Sequence, residues 1–300
     1  MKKIYTFICN HIQFIEFILK NVLKNITSIY GVIGIFFCFS PLPTLFPEWI
    51  GSREKIILGV LFLIILFGVS TLVEILWFFC LTNCIVYEKI KDSKHIYVHY
   101  GDVFDIKIVG KKNGTRNIVI PVNCCFDTKV EDVKIAEDSL QYKAIKLMNT
   151  KGFTEDDIQS KIQISLEGKP YEELSQNDKP WGNCRRYQEG TIAVVNGGDG
   201  IRFLFIALAK FDSDLHSITP SKEEFFQTFA RMLENISVNS EGYPFVLPVV
   251  GSGLSNTELS EQDLLDFLMK SLKLYRNSFN TDVHVVVYHK KKKLISITSA

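Results

Sequence analysis

Leu247-Pro-Val-Val-Gly-Ser-Gly-Leu-Ser255 is the stretch from which the rest of this chain is best read. A short apolar run, Phe245 to Val250, breaks into Gly251-Ser252-Gly253, and a helix start follows in which Ser260 stands three residues before Asp263 as a capping box. Strand, glycine turn and helix is a common way to hold phosphate. Glycines let backbone N–H groups close on an anion, and a nearby helix N-terminus adds a favourable dipole. Gly-Ser-Gly by itself also fits an ordinary turn, so its meaning depends on what stands elsewhere.

Around it lies a regular alternation of elements. His95 to Tyr100 alternates and ends in Gly101-Asp102-Val103-Phe104. Asn117 to Val122 reads as a buried strand running into Asn123-Cys124-Cys125. Apolar spacing predicts helix over 131–150 and 154–166, and the polar residues 169–181 predict a loop. Strands at 191–195 and 201–209 flank Asn196-Gly197-Gly198-Asp199-Gly200, a strong hairpin signal. Ser221 and Glu224 form a second capping box before a helix with a Phe225, Phe229, Met232, Leu233, Ile236 face, and a last strand is expected at 283–288. The fold class expected for residues 88–300 is therefore α/β: a mixed, mostly buried sheet sandwiched by helices. In such sheets ligands sit at the carboxyl ends of strands, where Asn123 and Gly251 fall.

Residues 1–87 have another character. No charge occurs between residues 25 and 47 or between 56 and 73, and Ile26–Phe46 and Ile56–Cys80 are each long enough to cross a hydrocarbon core as a helix. Lys2, Lys3, Lys20 and Lys24 against Glu16 give the first 24 residues a net +3, and the hairpin holding Glu48, Arg53, Glu54 and Lys55 sums to zero. Lys89, Lys91 and Lys94 against Glu88 and Asp92 leave +1 after the second run. The positive-inside rule then places both termini in the cytoplasm of a two-span inner-membrane protein. Ahead of the spans, Phe7 to Leu23 has helical apolar spacing, which suits a helix lying on the inner leaflet or packing on a partner. Glu74, within the second run, should face another helix or water.

The net charge of +1 excludes a basic footprint for nucleic acid. Seven cysteines, an odd number without a C-x-x-C pair, suit a reducing compartment rather than a disulfide framework or zinc site. The histidines are scattered, so no activated nucleophile is evident. Cys124 and Cys125 read as buried structural thiols, and Lys290–Lys293 as a solvated tail rather than a lipid contact.

In the order of its elements, with Gly-Asp before the first inner strand, Asn just past it, a hairpin into an apolar strand and Pro-x-x-Gly-Ser-Gly-Leu before a late helix, residues 96–290 resemble a macro domain. Joined to two N-terminal spans, this is similar to the transmembrane macro-domain effectors of type II Thoeris antiphage defence. The resemblance implies a site for ADP-ribose or a base- or amino-acid-modified derivative of it, a second messenger that a partner TIR-domain protein makes from NAD. It implies that Asp102, with the N–H of Val103, holds the adenine amino group, and that Asn123 contacts the distal ribose. It implies that Gly251, Ser252, Gly253, Leu254 and Ser255 wrap the pyrophosphate, with Ser139, Leu140 and Gln141 where a first phosphate loop would fall. Tyr288 or His289 would stack on adenine. Ile120 stands where the family signature has its first Asn, and the triple-glycine loop is missing. What is implied is thus a sensor rather than an enzyme, with no cofactor and no metal, acting on membrane lipid as a homo-oligomer. A membrane-anchored ADP-ribosyl hydrolase is the alternative.

Overall fold

The computed structural model describes residues 19, 22–28, 51–81, 83–109, 114–128, 135–212, 218–249, 260–292 and 294–297. Gly251–Ser255, Lys293 and most of the expected first span lie outside them. The chain divides into two compact units, residues 1–83 and 84–298.

In the first unit residues 22–28 are helical, and α1 (Ser52–Leu81) runs for 30 residues. Glu54, in the first turn of α1, accepts from the Gly51 N–H at 2.9 Å, which satisfies an orphan donor at the helix start. Ile57, Leu61, Ile64, Ile65, Leu72, Val73 and Leu76 are all about half exposed or more, and along the whole helix sequence apolar residues fall on every side instead of forming one stripe. Counting only the described residues, no helix is long and apolar enough to cross a membrane. The backbone of α1 is nevertheless continuous through the uncharged run 56–73. Asn25 Nδ2 donates to Glu74 Oε1 at 2.5 Å, so the carboxylate within the second apolar run faces a neighbouring helix.

The second unit is built on a seven-stranded sheet of order β1-β2-β9-β8-β3-β7-β6. The strands are β1 (Cys84–Lys89), β2 (His95–Gly101), β3 (Arg116–Asn123), β6 (Ile192–Gly198), β7 (Ile201–Ala209), β8 (Phe245–Pro248) and β9 (Val283–Tyr288). β2, β9, β8, β3 and β7 are parallel, whereas β1 and β6 are antiparallel strands at the two edges. A separate ribbon pairs β4 (Tyr171–Glu173) with β5 (Arg185–Tyr187). Part of the stretch expected to be loop is thus a strand, secured by cross-strand Glu–Arg pairs that carry no hydrophobic signal.

The central strand β3 shows why its sequence folds this way. Ile118, Ile120 and Val122 face one layer and Val119 the other, all essentially fully buried. Each such side chain contributes about 1.5–3 kcal/mol. On the first face lie α2 (Leu140–Asn149) and α3 (Glu155–Leu166), through Ala144, Ile145, Met148, Ile158 and Ile162. On the second lie α4 (Lys222–Val238) and α5 (Glu261–Leu274), through Phe229, Met232, Leu233, Leu265 and Leu268. Both predicted capping boxes form, Ser221 with Glu224 and Ser260 with Asp263. The hairpin between β6 and β7 turns on Asp199 and Gly200, both at positive φ as a primed turn requires. Helix α2 begins only at Leu140, and residues 135–138 before its cap are not helical.

The described lysines of the run, residues 290–292, do not form a solvated tail. Residues 289–291 make a 3-10 turn, Lys291 pairs with Glu261, and Ile295 and Ile297 are buried in the second core layer. The Tyr100 hydroxyl donates to the Ile295 carbonyl at 2.7 Å and accepts from the Ile297 N–H at 3.1 Å. Two apolar residues spaced by one, beyond a charged run, were too short a pattern to register as a docking segment.

One glycine is required by close approach. Gly190 has φ +88°, and a Cβ there would lie 2.8 Å from Arg231 Cβ and 3.3 Å from the Met232 backbone nitrogen. Gly190→Ala is expected to destabilise the domain by about 2 kcal/mol or more, combining αL strain with displacement of α4. A urea midpoint indistinguishable from wild type would refute this.

Candidate functional site

Because β2, β9, β8 and β3 are parallel, their carboxyl ends open on one edge of the sheet. Gly101 is paired with Tyr288 across β2 and β9, so Asp102 and Tyr288 emerge side by side. Asp102 Oδ1 accepts from the Phe104 N–H at 3.0 Å, closing an Asx turn and using one carboxylate oxygen. Val103 is buried in the first core layer. The Tyr288 ring has the His289 ring at 4.5 Å, with Lys143 of α2 at 5.4 Å and Lys290 at 5.9 Å from its centroid. Two cations thus face one aromatic at this strand end, a clustering that sequence separation concealed.

Asn123 ends β3 at a register shift. Its Oδ1 accepts from the Cys125 N–H at 3.0 Å and the Asp127 N–H at 3.3 Å, winding the chain into a tight turn. Phe126, in that turn, has φ +52° and is fully buried, an uncommon conformation for a bulky residue and one that its surroundings must enforce. The enforcement is a buried polar network. Asp127 Oδ2 pairs with Lys179 Nζ at 2.7 Å, and Oδ1 accepts from the Asn183 N–H at 2.6 Å. The Asn183 side-chain amide donates to the Cys125 and Phe126 carbonyls at 3.1 Å each. Gln141 Nε2 donates to the Asp127 carbonyl at 2.5 Å, while Ser139 caps α2 by accepting from the Tyr142 N–H at 3.1 Å. Leu140 packs against the first core layer. Ser139 and Gln141 therefore hold the walls of this region through their side chains, and the α2 N-terminus stands beside them.

Cys124 and Cys125 are buried, and burial pushes their thiols up to about 12 and about 11. Neither is a thiolate at neutral pH, as expected of buried structural thiols. Among the described residues no cluster of three or more His, Cys, Asp or Glu is placed to hold a metal ion. Ile120, at the place of the missing Asn, is fully buried in the first core layer. The elements that carry the described part of the predicted site are thus built around one sheet edge, and the Asp127–Lys179–Asn183 support behind Asn123 escaped the sequence reading. Lys179 sat in a polar stretch that looked like solvent-facing loop, and its burial left no trace in composition.

The family described as "Thoeris protein ThsA, Macro domain" matches residues 96–288. The chain belongs to the ThsA macro-domain family. Over 232 residues it is 23% identical to the Thoeris protein ThsA of Bacillus amyloliquefaciens (strain Y2), covering 75% of this chain and 72% of that protein. Among solved structures it is similar to a protein of unknown function from Bacteroides thetaiotaomicron (12% identity, TM-score 0.36, 65% of this chain and all of the other). It is also similar to the macrodomain of Mycobacterium tuberculosis DarG (12% identity, TM-score 0.34, 63% of this chain and 96% of the other). The ThsA macro match begins one residue inside β2 and ends with β9, and the edge strand β1 lies outside it.

Proposed function

We propose that this ThsA-family chain is a ligand-gated effector of Thoeris defence in the bacterial inner membrane, whose macro domain senses an ADP-ribose derivative made by a TIR-domain protein. The observation that carries the reading is the convergence of Asp102, Asn123 and Tyr288 on one edge of a ThsA macro-type sheet. Asp102 keeps a carboxylate oxygen for the adenine amine. Asn123, with its carbonyl turned into its own loop, addresses the distal ribose through its amide N–H groups. Val103 supplies its N–H beside the adenine, and Tyr288 stacks on the base. The Ser139-Leu140-Gln141 helix start and the Gly251-Ser252-Gly253-Leu254-Ser255 loop flank the diphosphate.

Two helices near the N-terminus span the membrane in this reading. α1 has no charge over 56–73 and carries apolar side chains on all sides, as a helix in lipid requires. In an antiparallel hairpin the start of one span and the end of the other share one face of the bilayer. The contact of Asn25 with Glu74 has that relation, and it gives an otherwise costly carboxylate a partner near the cytoplasmic boundary. Two helices cannot line a pore alone, so the active form is a homo-oligomer that disrupts the membrane. The ligand drives this only by binding the active arrangement more tightly than the resting one.

Calorimetry with NAD, ADP-ribose and base- or amino-acid-modified ADP-ribose tests the reading. Saturable micromolar binding of a modified form without turnover is the expected result. Gly251→Val should weaken it at least a hundredfold, because a branched side chain intrudes where backbone N–H groups must reach the diphosphate. Silence across the panel would sink the reading. Turnover abolished by Asn123→Ala would replace it with a membrane-anchored hydrolase.

A further inference from the structure

Toward the end of α1 the two sides of the helix differ. Val69, Leu72, Val73 and Leu76 are more than half exposed. Ser70, Thr71 and Glu74 are partly covered, and their spacing puts them together on the side that meets residues 22–28. The hydroxyls at this contact are already satisfied by their own helices. Thr71 Oγ1 donates to the Phe67 carbonyl at 2.8 Å, and Thr27 and Ser28 donate to the Leu23 and Lys24 carbonyls at 2.7 and 2.9 Å. Glu74 and Asn25 are not used up in this way. A carboxylate offers about four acceptor positions, and an Asn side-chain amide carries a second N–H. Among the described residues the contact at 2.5 Å takes one acceptor position of Glu74 and one donor of Asn25. A spare donor thus stands beside spare acceptors, and the pair is complementary to itself.

We infer that Asn25 and Glu74 are the contact through which the spans of two copies of this chain associate, Asn25 of each copy donating its second N–H to Glu74 of the other. This rests on the reading of α1 as a membrane span and is independent of what the macro domain binds. In lipid a carboxylate with open acceptor positions is costly, so a further donor is drawn to it. Polar side chains are also what hold helices together there, because apolar side chains meet lipid as readily as they meet each other. The occupant follows from depth. An unrelated helix would have to carry a donor at the level of Glu74, whereas a second copy brings Asn25 to that level by its own sequence. A two-fold axis makes the exchange reciprocal, so each copy gives one donor and takes one. The exposed aliphatic side, Val69, Leu72, Val73 and Leu76, then stays turned to lipid. No part of this contact involves the nucleotide, so pairing should be present without it.

The test uses the full chain, labelled at its C-terminus with a donor or an acceptor dye, in vesicles of phosphatidylethanolamine and phosphatidylglycerol without nucleotide. Energy transfer is followed as the protein-to-lipid ratio is varied. Wild type should pair saturably. Glu74→Leu and Asn25→Leu should each weaken pairing about tenfold or more, since losing either residue removes both contacts between copies. Glu74→Gln keeps an acceptor oxygen at the same place and should stay within about threefold of wild type. The decisive sample mixes the two leucine variants. Each has lost the contact within its own chain, yet Asn25 of the Glu74→Leu chain can still donate to Glu74 of the Asn25→Leu chain. Mixed pairs should therefore form about threefold or more readily than either variant pairs with itself. Absence of wild-type pairing, wild-type behaviour of Glu74→Leu, or no recovery on mixing would overturn the inference and leave Glu74 a partner within one chain only. If alkaline carbonate released the wild-type chain from membranes, the membrane reading and this inference would fall together.

Discussion

Lys179→Ala is expected to destabilise the macro domain by about 3–5 kcal/mol, the cost of leaving a buried charge without its partner. The two side chains of the pair are 8% and 2% exposed and 2.7 Å apart, so water cannot take over for the missing ammonium. Asp127 would keep the Asn183 N–H at 2.6 Å, but a single backbone donor does not neutralise a carboxylate in the interior. The loss should spread to the site. Asp127 anchors the turn that begins at Asn123, and the same turn holds Phe126 at φ +52°. Ligand affinity should fall together with stability even though Lys179 is not assigned a ligand contact. Replacing both partners, Asp127→Asn with Lys179→Met, should recover most of the stability, because no unpaired charge then remains. Urea unfolding of the wild type and the two variants distinguishes the cases. A loss under about 1 kcal/mol for Lys179→Ala would mean that the pair is solvated and does not shape the turn.

How much of this was legible in the sequence depended on whether the signal was local. Ser221 with Glu224 and Ser260 with Asp263 are three residues apart, and capping is a matter between neighbours, so both helix starts were readable. The β6–β7 hairpin was readable because positive φ restricts the residue types at its turn. Placing Asp102 beside Tyr288 required a parallel pairing across 186 positions, which only the assembled sheet provides. The family resemblance supplied the roles that spacing could not. Two features had neither kind of signal. Lys179 looks like any loop lysine until an aspartate 52 residues away is folded against it. A pocket at the carboxyl end of β7 gathers Glu189, Leu208, Lys210, Ile218 and one face of α4 from separate parts of the chain, each unremarkable alone. The strand β1 was hidden for a different reason, since Cys84–Lys89 directly follows a long apolar run and its own pattern is only six residues long. Gly251-Ser252-Gly253 was ambiguous by itself, since the same residues fit an ordinary turn, and its expected contact with the diphosphate rests on binding experiments.

The fold should also lose stability steeply between pH 6.5 and about 4, driven by two histidines behind the nucleotide edge. His99 Nε2 and His284 Nδ1 lie 3.0 Å apart in the interior, on adjacent parallel strands β2 and β9. At that distance one nitrogen must donate and the other accept, so the pair tolerates one shared proton but not two facing N–H groups. Burial lowers the pKa of each ring to about 4, and for His99 the charge of His284 adds to the effect. Tyr97 stacks on His284 at 4.8 Å and Cys84 lies 3.8 Å from His99, and neither offers a compensating negative charge at neutral pH. Asp282 is the neighbour that opposes the shift at His284. The sign follows from the depression. Above pH 6.5 both states hold neutral rings, and these groups add no pH dependence. Below it the unfolded chain takes up protons that the folded chain refuses, at up to about 2.7 kcal/mol per pH unit for two histidines. Near pH 4 the folded form titrates too and the slope fades. Urea midpoints measured from pH 7.5 to 4.5 should fall on this schedule, and His284→Asn should roughly halve the slope by removing one titrating ring. Since β2 and β9 end at Gly101 and Tyr288, with Asp102 the next residue after β2, mild acid should weaken nucleotide binding before the domain unfolds outright. A flat stability profile between pH 7 and 5 would show that the rings are already protonated or solvated, and the coupling between the strand pair and the site would go with it.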